Sequence, residues 1–297
     1  RQLPAASLAG DTLIVLAAGS LIDAALLKEE IEAIRLDTSR LIVDECASVL
    51  TEEHKRTEAN AGLMSSIGST GSGTGAALVD RISRTKSHKL ARDDDYLRRF
   101  CRKFTPELLR SISDRGGRVV IEGTQGFGLS IWHGGAFPYA TSRDTTAAAF
   151  ASEAGVSPAD VDEVVLVIRT FPIRVAGDSG PMPNEITWEA LRQEAQLRPD
   201  FVELTSVTRK VRRVARFDPQ VVRQAITVNH PSSIVLNHLD YIDPSAKSGH
   251  LGLPGIEFIR NVESLLGERI SAVGISPTET VYLGGKDAMN RYANSVR

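Results

Sequence analysis

Eight residues, Gly68-Ser69-Thr70-Gly71-Ser72-Gly73-Thr74-Gly75, stand just before a helical stretch at 76–83. Glycine lets a backbone approach an anion, hydroxyls and amide N–H groups donate to it, and a helix N-terminus adds a favourable dipole. The run is not a Walker A loop, since no Gly-Lys-Ser/Thr follows, nor a Gly-x-Gly-x-x-Gly fingerprint. It reads either as a phosphate loop or as a flexible linker. Two further polar loops follow: Gly123-Thr124-Gln125-Gly126-Phe127-Gly128, and Pro138-Tyr139-Ala140-Thr141-Ser142-Arg143-Asp144-Thr145-Thr146 ahead of an Ala-rich helix. The second offers hydroxyls and amides to a ligand, or is an ordinary helix start capped by Asp144 or Thr145.

Arg209-Lys210-Val211-Arg212-Arg213-Val214-Ala215-Arg216 holds five cations in eight residues. A nucleic-acid patch, a solvated charge run and a small-anion clamp compete for this segment. A net charge of −2 weighs against the first, and alternation with Val and Ala weighs against the second. Guanidinium forks match carboxylates and phosphates, so a clamp for one of those anions is the favoured reading. Asn237-His238-Leu239-Asp240 follows an apolar run. A carboxylate there can accept from a guanine edge, although a turn-forming Asp is the commoner reason for the pattern. The histidines show no metal-ligand spacing, Cys46 and Cys101 form no zinc pattern, and no Gly-x-Ser-x-Gly elbow stands at a strand-to-helix turn.

The elements that must position these residues alternate. Strands are expected at 12–17, 41–43, 118–122, 164–170, 234–236 and 270–273, with helices from Asp23 through Ile34, after Ser157-Pro158, and at 254–266. Such alternation predicts α/β with a largely parallel sheet. At 297 residues and 42% hydrophobic, the chain can bury a large core. Two cysteines suit a reducing, cytoplasmic setting, no apolar run reaches membrane-spanning length, and the first residues hold no initiator Met.

Taken in order, these signals resemble the adenylosuccinate synthetase family. Its phosphate loop is matched by Ile67-Gly68-Ser69-Thr70-Gly71-Ser72-Gly73, its Glu-Gly-x-Gln-Gly segment by 122–126, and its Pro-Tyr-Val-Thr-Ser segment by 138–142. Arg174-Val175-Ala176-Gly177 matches a family strand end, and Ser206-Val207-Thr208-Arg209-Lys210-Val211-Arg212-Arg213 its aspartate loop. The resemblance implies one P-loop-NTPase-like α/β domain across 1–297, with a mostly parallel central sheet flanked by helices. It implies a ligase that joins L-aspartate to the 6-position of IMP, with GTP phosphorylating the 6-oxygen first.

On that resemblance Ser69, Thr70, Arg84, Gln125, Thr141 and Val175 bind the purine monophosphate, with Gln125 also catalytic. Val207, Thr208, Lys210 and Arg212 bind aspartate, and His238, Asp240 and Gly274 bind the triphosphate's base. Arg84 reaches the neighbouring site of a homodimer. The partners are small molecules, with neither nucleic acid nor membrane. A Gly-x-Glu-Gly-Lys-Gly loop with the Mg²⁺ site, the acidic base and a catalytic His is expected ahead of Arg1, the chain being N-terminally incomplete. A fold without about its first 45 to 50 residues, holding the first strand and helix, exposes a sheet edge and loses core. Having His238 where the family has Lys also resembles archaeal members and phage enzymes that join aspartate to dGMP and use ATP. A nucleotide-binding pseudoenzyme is the third alternative.

Overall fold

A computed structural model gives the fold, described for residues 2–195, 197–205, 209–248 and 251–284. The chain divides into two compact units, Arg1–Asp162 and Glu163–Arg297.

The first unit runs β1 (Ile14–Leu16), β2 (Leu21–Ile22), α1 (Ala24–Ile34), β3 (Leu41–Asp44), β4 (Ser48–Val49), α2 (Glu52–Asn60), α3 (Leu63–Ser66), α4 (Thr74–Ser83), β5 (Cys101–Arg102), α5 (Thr105–Asp114) and α6 (Ala147–Ala154). Strands β1, β3 and β5 are parallel in that order, and β2 pairs with β4, also parallel. Asp23 caps α1 by accepting the Ala25 and Leu26 N–H groups at 3.1 Å. The helix then buries Leu27 and Ile31 against Ile14, Leu16 and Val43 of the sheet. Burying each such side chain contributes about 1.5–3 kcal/mol, so the apolar spacing seen in the sequence is what seats α1 on the strands.

The second unit runs β6 (Val165–Arg169), β7 (Ile173–Arg174), β8 (Glu185–Ile186), α7 (Trp188–Glu194), β9 (Arg213–Ala215), α8 (Pro219–Asn229), β10 (Ser233–Asn237), α9 (Leu253–Leu266), β11 (Ala272–Gly274) and β12 (Thr280–Tyr282). Its main sheet has the order β12-β11-β10-β6, parallel except for β12 at the edge. Ile234, Leu236 and Val273 pack under Ile256, Ile259 and Val262 of α9. A smaller antiparallel sheet, β7-β9-β8, carries part of the cation run. The architecture is α/β, with mostly parallel strands flanked by helices.

Three local expectations are corrected. The apolar run 118–122 is irregular rather than a strand, and Val120 is 81% exposed. A strand needs a partner for its N–H and C=O groups, and among the described residues none pairs with this run. Ser157-Pro158 opens a single 3-10 turn, Pro158–Asp160, and residues 161–164 then run irregularly into β6. The cap of α6 is Thr146, whose hydroxyl accepts the Ala149 N–H, in place of Asp144 or Thr145.

Candidate active site

Thr51 opens α2 as a capping box. Its hydroxyl accepts the His54 N–H (3.4 Å), while His54 Nδ1 accepts the Thr51 N–H (3.2 Å). One turn further on, the buried carboxylate of Glu58 crosses to the start of α4. Oε2 accepts the Gly73 N–H at 2.7 Å, and Oε1 accepts those of Gly75 at 2.7 Å and Ala76 at 3.4 Å. Gly73 has φ 80°, and a Cβ there would meet Lys55 N of α2 at 3.0 Å, so glycine is required for this seat. Three of the amides that the sequence suggested for a ligand, those of Gly73, Gly75 and Ala76, are therefore taken by Glu58. What the loop still offers is hydroxyls: Ser69 Oγ accepts the Gly71 N–H at 3.2 Å, and Thr70 Oγ1 pairs with Ser72 Oγ at 2.8 Å.

The other two polar loops meet at the same end of α4. A Cβ on Gly75 would lie 3.3 Å from Ser142 Cβ, which puts the 138–142 segment beside the Gly-rich loop. Thr141 N–H donates to Leu129 O (2.7 Å), and Ile131 N–H donates to Arg143 O (3.2 Å). Gly126 O accepts the Thr145 hydroxyl at 3.1 Å and the Leu129 N–H at 2.9 Å, tying the 123–126 loop to the lead-in of α6. Gln125 is exposed with φ 57°, a left-handed conformation unusual for a residue with a side chain and concentrated at functional sites. Asp144 braces this region, accepting from the Ser130 hydroxyl (2.6 Å), the Thr145 N–H (2.8 Å) and the Thr146 hydroxyl (2.6 Å). Burial pushes its carboxyl up, but those bonds outweigh it and hold the group below the usual carboxylate range.

Ser69, Thr70, Gln125 and Thr141 thus lie on segments that are joined to one another. Arg84 does not join them. It caps the C-terminal end of α4, exposed at φ 55°, and ten helical residues at about 1.5 Å each put it about 15 Å from the loop at the other end. Val175, on the far side of the β7 end, belongs to the second unit, where its carbonyl accepts the Ser179 hydroxyl at 2.7 Å.

The histidines carry a correction. His54 Nε2, His88 Nδ1 and Asp80 Oδ2 lie within 4.8 Å of one another, although nothing in their sequence spacing suggests it. Because His54 Nδ1 accepts the Thr51 N–H, the neutral ring carries its proton on Nε2 and gives it to Asp80 (3.4 Å). His88 Nδ1 faces the same carboxylate at 3.4 Å, and its Nε2 faces Ser48 Oγ at 3.0 Å, to which Arg81 donates at 2.8 Å. The Thr85 hydroxyl (2.6 Å) does most to hold the Asp80 carboxyl low; burial opposes this and the two imidazoles add to it. The cluster is a closed hydrogen-bond network. Mg²⁺ prefers oxygen ligands. Two imidazoles, one of them protonated at the converging atom, do not fit that ion, and no other convergence of three such side chains occurs among the described residues.

In the second unit the structure sorts the five cations. Arg213 grips Glu185 with two bonds, Nε–Oε1 at 2.7 Å and Nη2–Oε2 at 2.6 Å, and gives Nη1 to Gly180 O at 2.8 Å. Arg216 pairs with Glu194. Both therefore brace the fold. Arg209, Lys210 and Arg212 form no ion pair among the described residues. Their backbone makes a tight hairpin in which Thr205 N–H donates to Lys210 O (2.8 Å) and Lys210 N–H to Thr205 Oγ1 (3.0 Å). Arg212 is fixed at three points: its N–H donates to Glu203 O (2.8 Å), its Nε to Leu204 O (3.2 Å), and its carbonyl accepts the Trp188 indole N–H (2.6 Å). Val207 and Thr208 lie outside the described residues.

His238, Asp240 and Gly274 gather at the carboxyl ends of parallel β10 and β11, the edge where open α/β sheets bind ligands. Asp240 is buried and lines a cavity of about 250 Å³ with Leu197, Arg198, Phe201, Tyr241 and Pro244. His238, at φ 64°, lies 5.0 Å from the Tyr241 ring. Burial, then Arg169, depress its pKa against the pull of Glu203 and Asp240, so the ring is neutral at neutral pH. Tyr241 donates to Glu203 (3.1 Å), which is paired with Arg169; burial first, then this carboxylate, raise the phenol's pKa. No sequence pattern pointed to this trio. Gly274 packs on Asn237, and a Cβ would overlap Asn237 Oδ1 and sit 3.1 Å from its Cγ. Gly274→Ala is therefore expected to lower unfolding free energy by about 1–3 kcal/mol in a urea titration. An unchanged midpoint would mean that Asn237 gives way freely.

The chain matches the family model "Adenylosuccinate synthetase" over residues 87–247, more than half its length. It is 35% identical to the adenylosuccinate synthetase of Methanocaldococcus jannaschii over 284 residues, covering 93% of this chain and 79% of that one. The Thermococcus onnurineus enzyme is likewise 35% identical, with 93% and 80% covered. Among solved structures, the succinoaminodeoxyadenylate synthetase PurZ of cyanophage S-2L, bound to dGMP and to dATP as an energy donor, superposes with TM-score 0.77 at 28% identity, covering all of this chain and 84% of that one. Fully ligated adenylosuccinate synthetase from Plasmodium falciparum shares the fold, with TM-score 0.80 at 18% identity over 94% and 87% of the two chains. With a family model matched over more than half of the chain and relatives at 35% identity over nearly all of it, the chain belongs to the adenylosuccinate synthetase family of C–N bond-forming ligases.

Proposed function

We propose that the protein joins L-aspartate to C6 of IMP at the expense of GTP. The observation that carries this reading is the meeting of three loops distant in sequence, 68–75, 123–126 and 138–142, through the Gly75–Ser142 and Gly126–Thr145 contacts. Ser69, Thr70, Gln125 and Thr141 hold the monophosphate there. N1 of the purine gives up its proton as the γ-phosphoryl group passes to the 6-oxygen, forming an O6–P bond while the bond to the leaving GDP breaks. The aspartate amine then attacks C6, the C6–O bond breaks, inorganic phosphate leaves and the nitrogen gives up a proton. Positioning and charge stabilisation dominate such chemistry, which suits loops rich in amides and hydroxyls.

Arg212, with Lys210, Val207 and Thr208, takes the aspartate carboxylates. With Nε already bound, Arg212 presents its two terminal NH2 groups, the paired donors that match a carboxylate. Asp240 accepts from the triphosphate's base, beside His238 and Gly274. Mg²⁺ supplies charge neutralisation to the triphosphate when bound, from ligands other than the described residues. Arg84 serves the partner's site in a homodimer, and the setting is cytoplasmic; no helix among the described residues is long and apolar enough to cross a membrane.

A second reading, aspartate joined to dGMP with ATP, is favoured by a specific feature. The neutral His238 stands where the family has a lysine, and the phage enzyme of similar structure is bound to dGMP and dATP. Phosphate release from the natural gene product separates the readings. GTP hydrolysis that needs both IMP and aspartate supports the first, the same dependence on dGMP with ATP supports the second, and no turnover with either set overturns both.

A further inference from the structure

We propose that Glu58 is a positioning residue for the purine monophosphate, an internal carboxylate that occupies the α4 N-terminus and thereby directs the phosphate to the loop hydroxyls. This rests on the reading of 68–75 as the monophosphate loop given above. Three observations support it. Glu58 is 4% exposed, yet both of its oxygens are engaged with the Gly73, Gly75 and Ala76 N–H groups. A buried carboxylate that far from water persists only with such charge-assisted bonds and a favourable helix dipole. The helix that carries it is itself fixed: the Thr51–His54 box locks the α2 start, and His54 Nε2 reaches Asp80 on α4. Carboxylate and amides are therefore held in register from both sides.

The consequence is chemical. The first turn of a helix attracts phosphate because its amides lack partners. Here three of those amides, at Gly73, Gly75 and Ala76, are taken by Glu58, and a phosphate approaching them meets a like charge. Among the donors that remain are the Ser69 hydroxyl, whose oxygen accepts from Gly71 and whose proton is still available to give, and one of the two hydroxyls in the Thr70–Ser72 pair. Glu58 touches no reacting atom. It sets where the loop leaves α4, and so where Ser69 and Thr70 stand.

Glu58→Gln tests this, since glutamine keeps the volume but offers one acceptor oxygen and turns an NH2 toward an amide donor. Calorimetric titration with IMP and with dGMP, the aspartate KM, and hydrogen exchange at 73–76 are read on wild type and variant, with exposed Glu53→Gln on the same helix as control. Loss of charge-assisted bonds is expected to accelerate exchange at 73–76 and to weaken monophosphate binding by about tenfold or more, with the aspartate KM changed less than about twofold. Glu58→Ala is expected to go further, and the glutamine variant decides if the alanine one does not fold. Unchanged or tighter monophosphate binding in Glu58→Gln, whatever its melting temperature, overturns the proposal alone. A wild-type protein that binds neither IMP nor dGMP overturns the functional reading, and this proposal with it.

Discussion

Replacing Arg212 with alanine is expected to raise the KM for aspartate by about ten- to a hundredfold, because a charge-assisted bond to a carboxylate is worth about 1.5–3 kcal/mol and each 1.4 kcal/mol is tenfold. The effect should fall on KM more than on kcat, since aspartate's carboxylates keep their charge throughout the reaction. The neighbouring cation supplies the contrast. Arg213 is spent on Glu185 and Gly180, so Arg213→Ala should lower the unfolding midpoint without a comparable change in the aspartate KM. Steady-state kinetics on the two variants separates these outcomes. An unchanged aspartate KM in Arg212→Ala removes that residue from the clamp. A large change in Arg213→Ala at intact stability would show that the ion pair with Glu185 opens during turnover.

Arg84→Ala and Gln125→Ala should each be nearly inactive alone, yet recover activity when mixed. On the proposed reading Gln125 serves the site of its own subunit, and its left-handed residue sits on the loop tied to Thr145. Arg84 stands at the opposite end of α4, about 15 Å from that chain's Gly-rich loop by the helix rise. That placement fits the proposed role of Arg84 at the partner's site in a homodimer. In random twofold dimers at equal mixing, half are hybrids, and each hybrid has one of its two sites free of both substitutions, so about a quarter of wild-type activity is expected to return. Absence of recovery after subunit exchange, verified by native mass spectrometry, would place Arg84 outside the partner's site.

The parts of this arrangement that were legible in the sequence follow local rules. Asp23 before Leu27 and Ile31 announced both the cap and the buried face of α1, and short apolar runs of β-favouring residues marked β3, β6 and β10, although Val165 and Val167 of β6 stay exposed. The 118–122 run obeys the same rule and still is not a strand, since an apolar pattern specifies a willingness to pair and cannot supply the partner. Candidate site residues stood out in the sequence where glycines and hydroxyls cluster, as at 68–75.

What stayed hidden depends on long-range contact. Glu58 is an unremarkable glutamate on a charged helix until folding brings Gly73 and Gly75 to it, fifteen and seventeen residues away. His54, Asp80 and His88 come together from α2, α4 and the loop after it, a convergence that no spacing rule encodes. The cation run shows the same limit in reverse. Five similar charges acquire different roles only through Glu185 and Glu194, which lie outside the run.

The most direct test of aspartate ligation through a phosphorylated purine is the fate of the 6-oxygen. IMP labelled with oxygen-18 at that position is incubated with aspartate, GTP and Mg²⁺ and the natural gene product, and the products are weighed by mass spectrometry. The expected result is one label in the released inorganic phosphate and none in a new purine nucleotide heavier by the aspartyl group. Phosphate released without label, or no aspartyl adduct while GTP is consumed, contradicts the ligase mechanism on IMP.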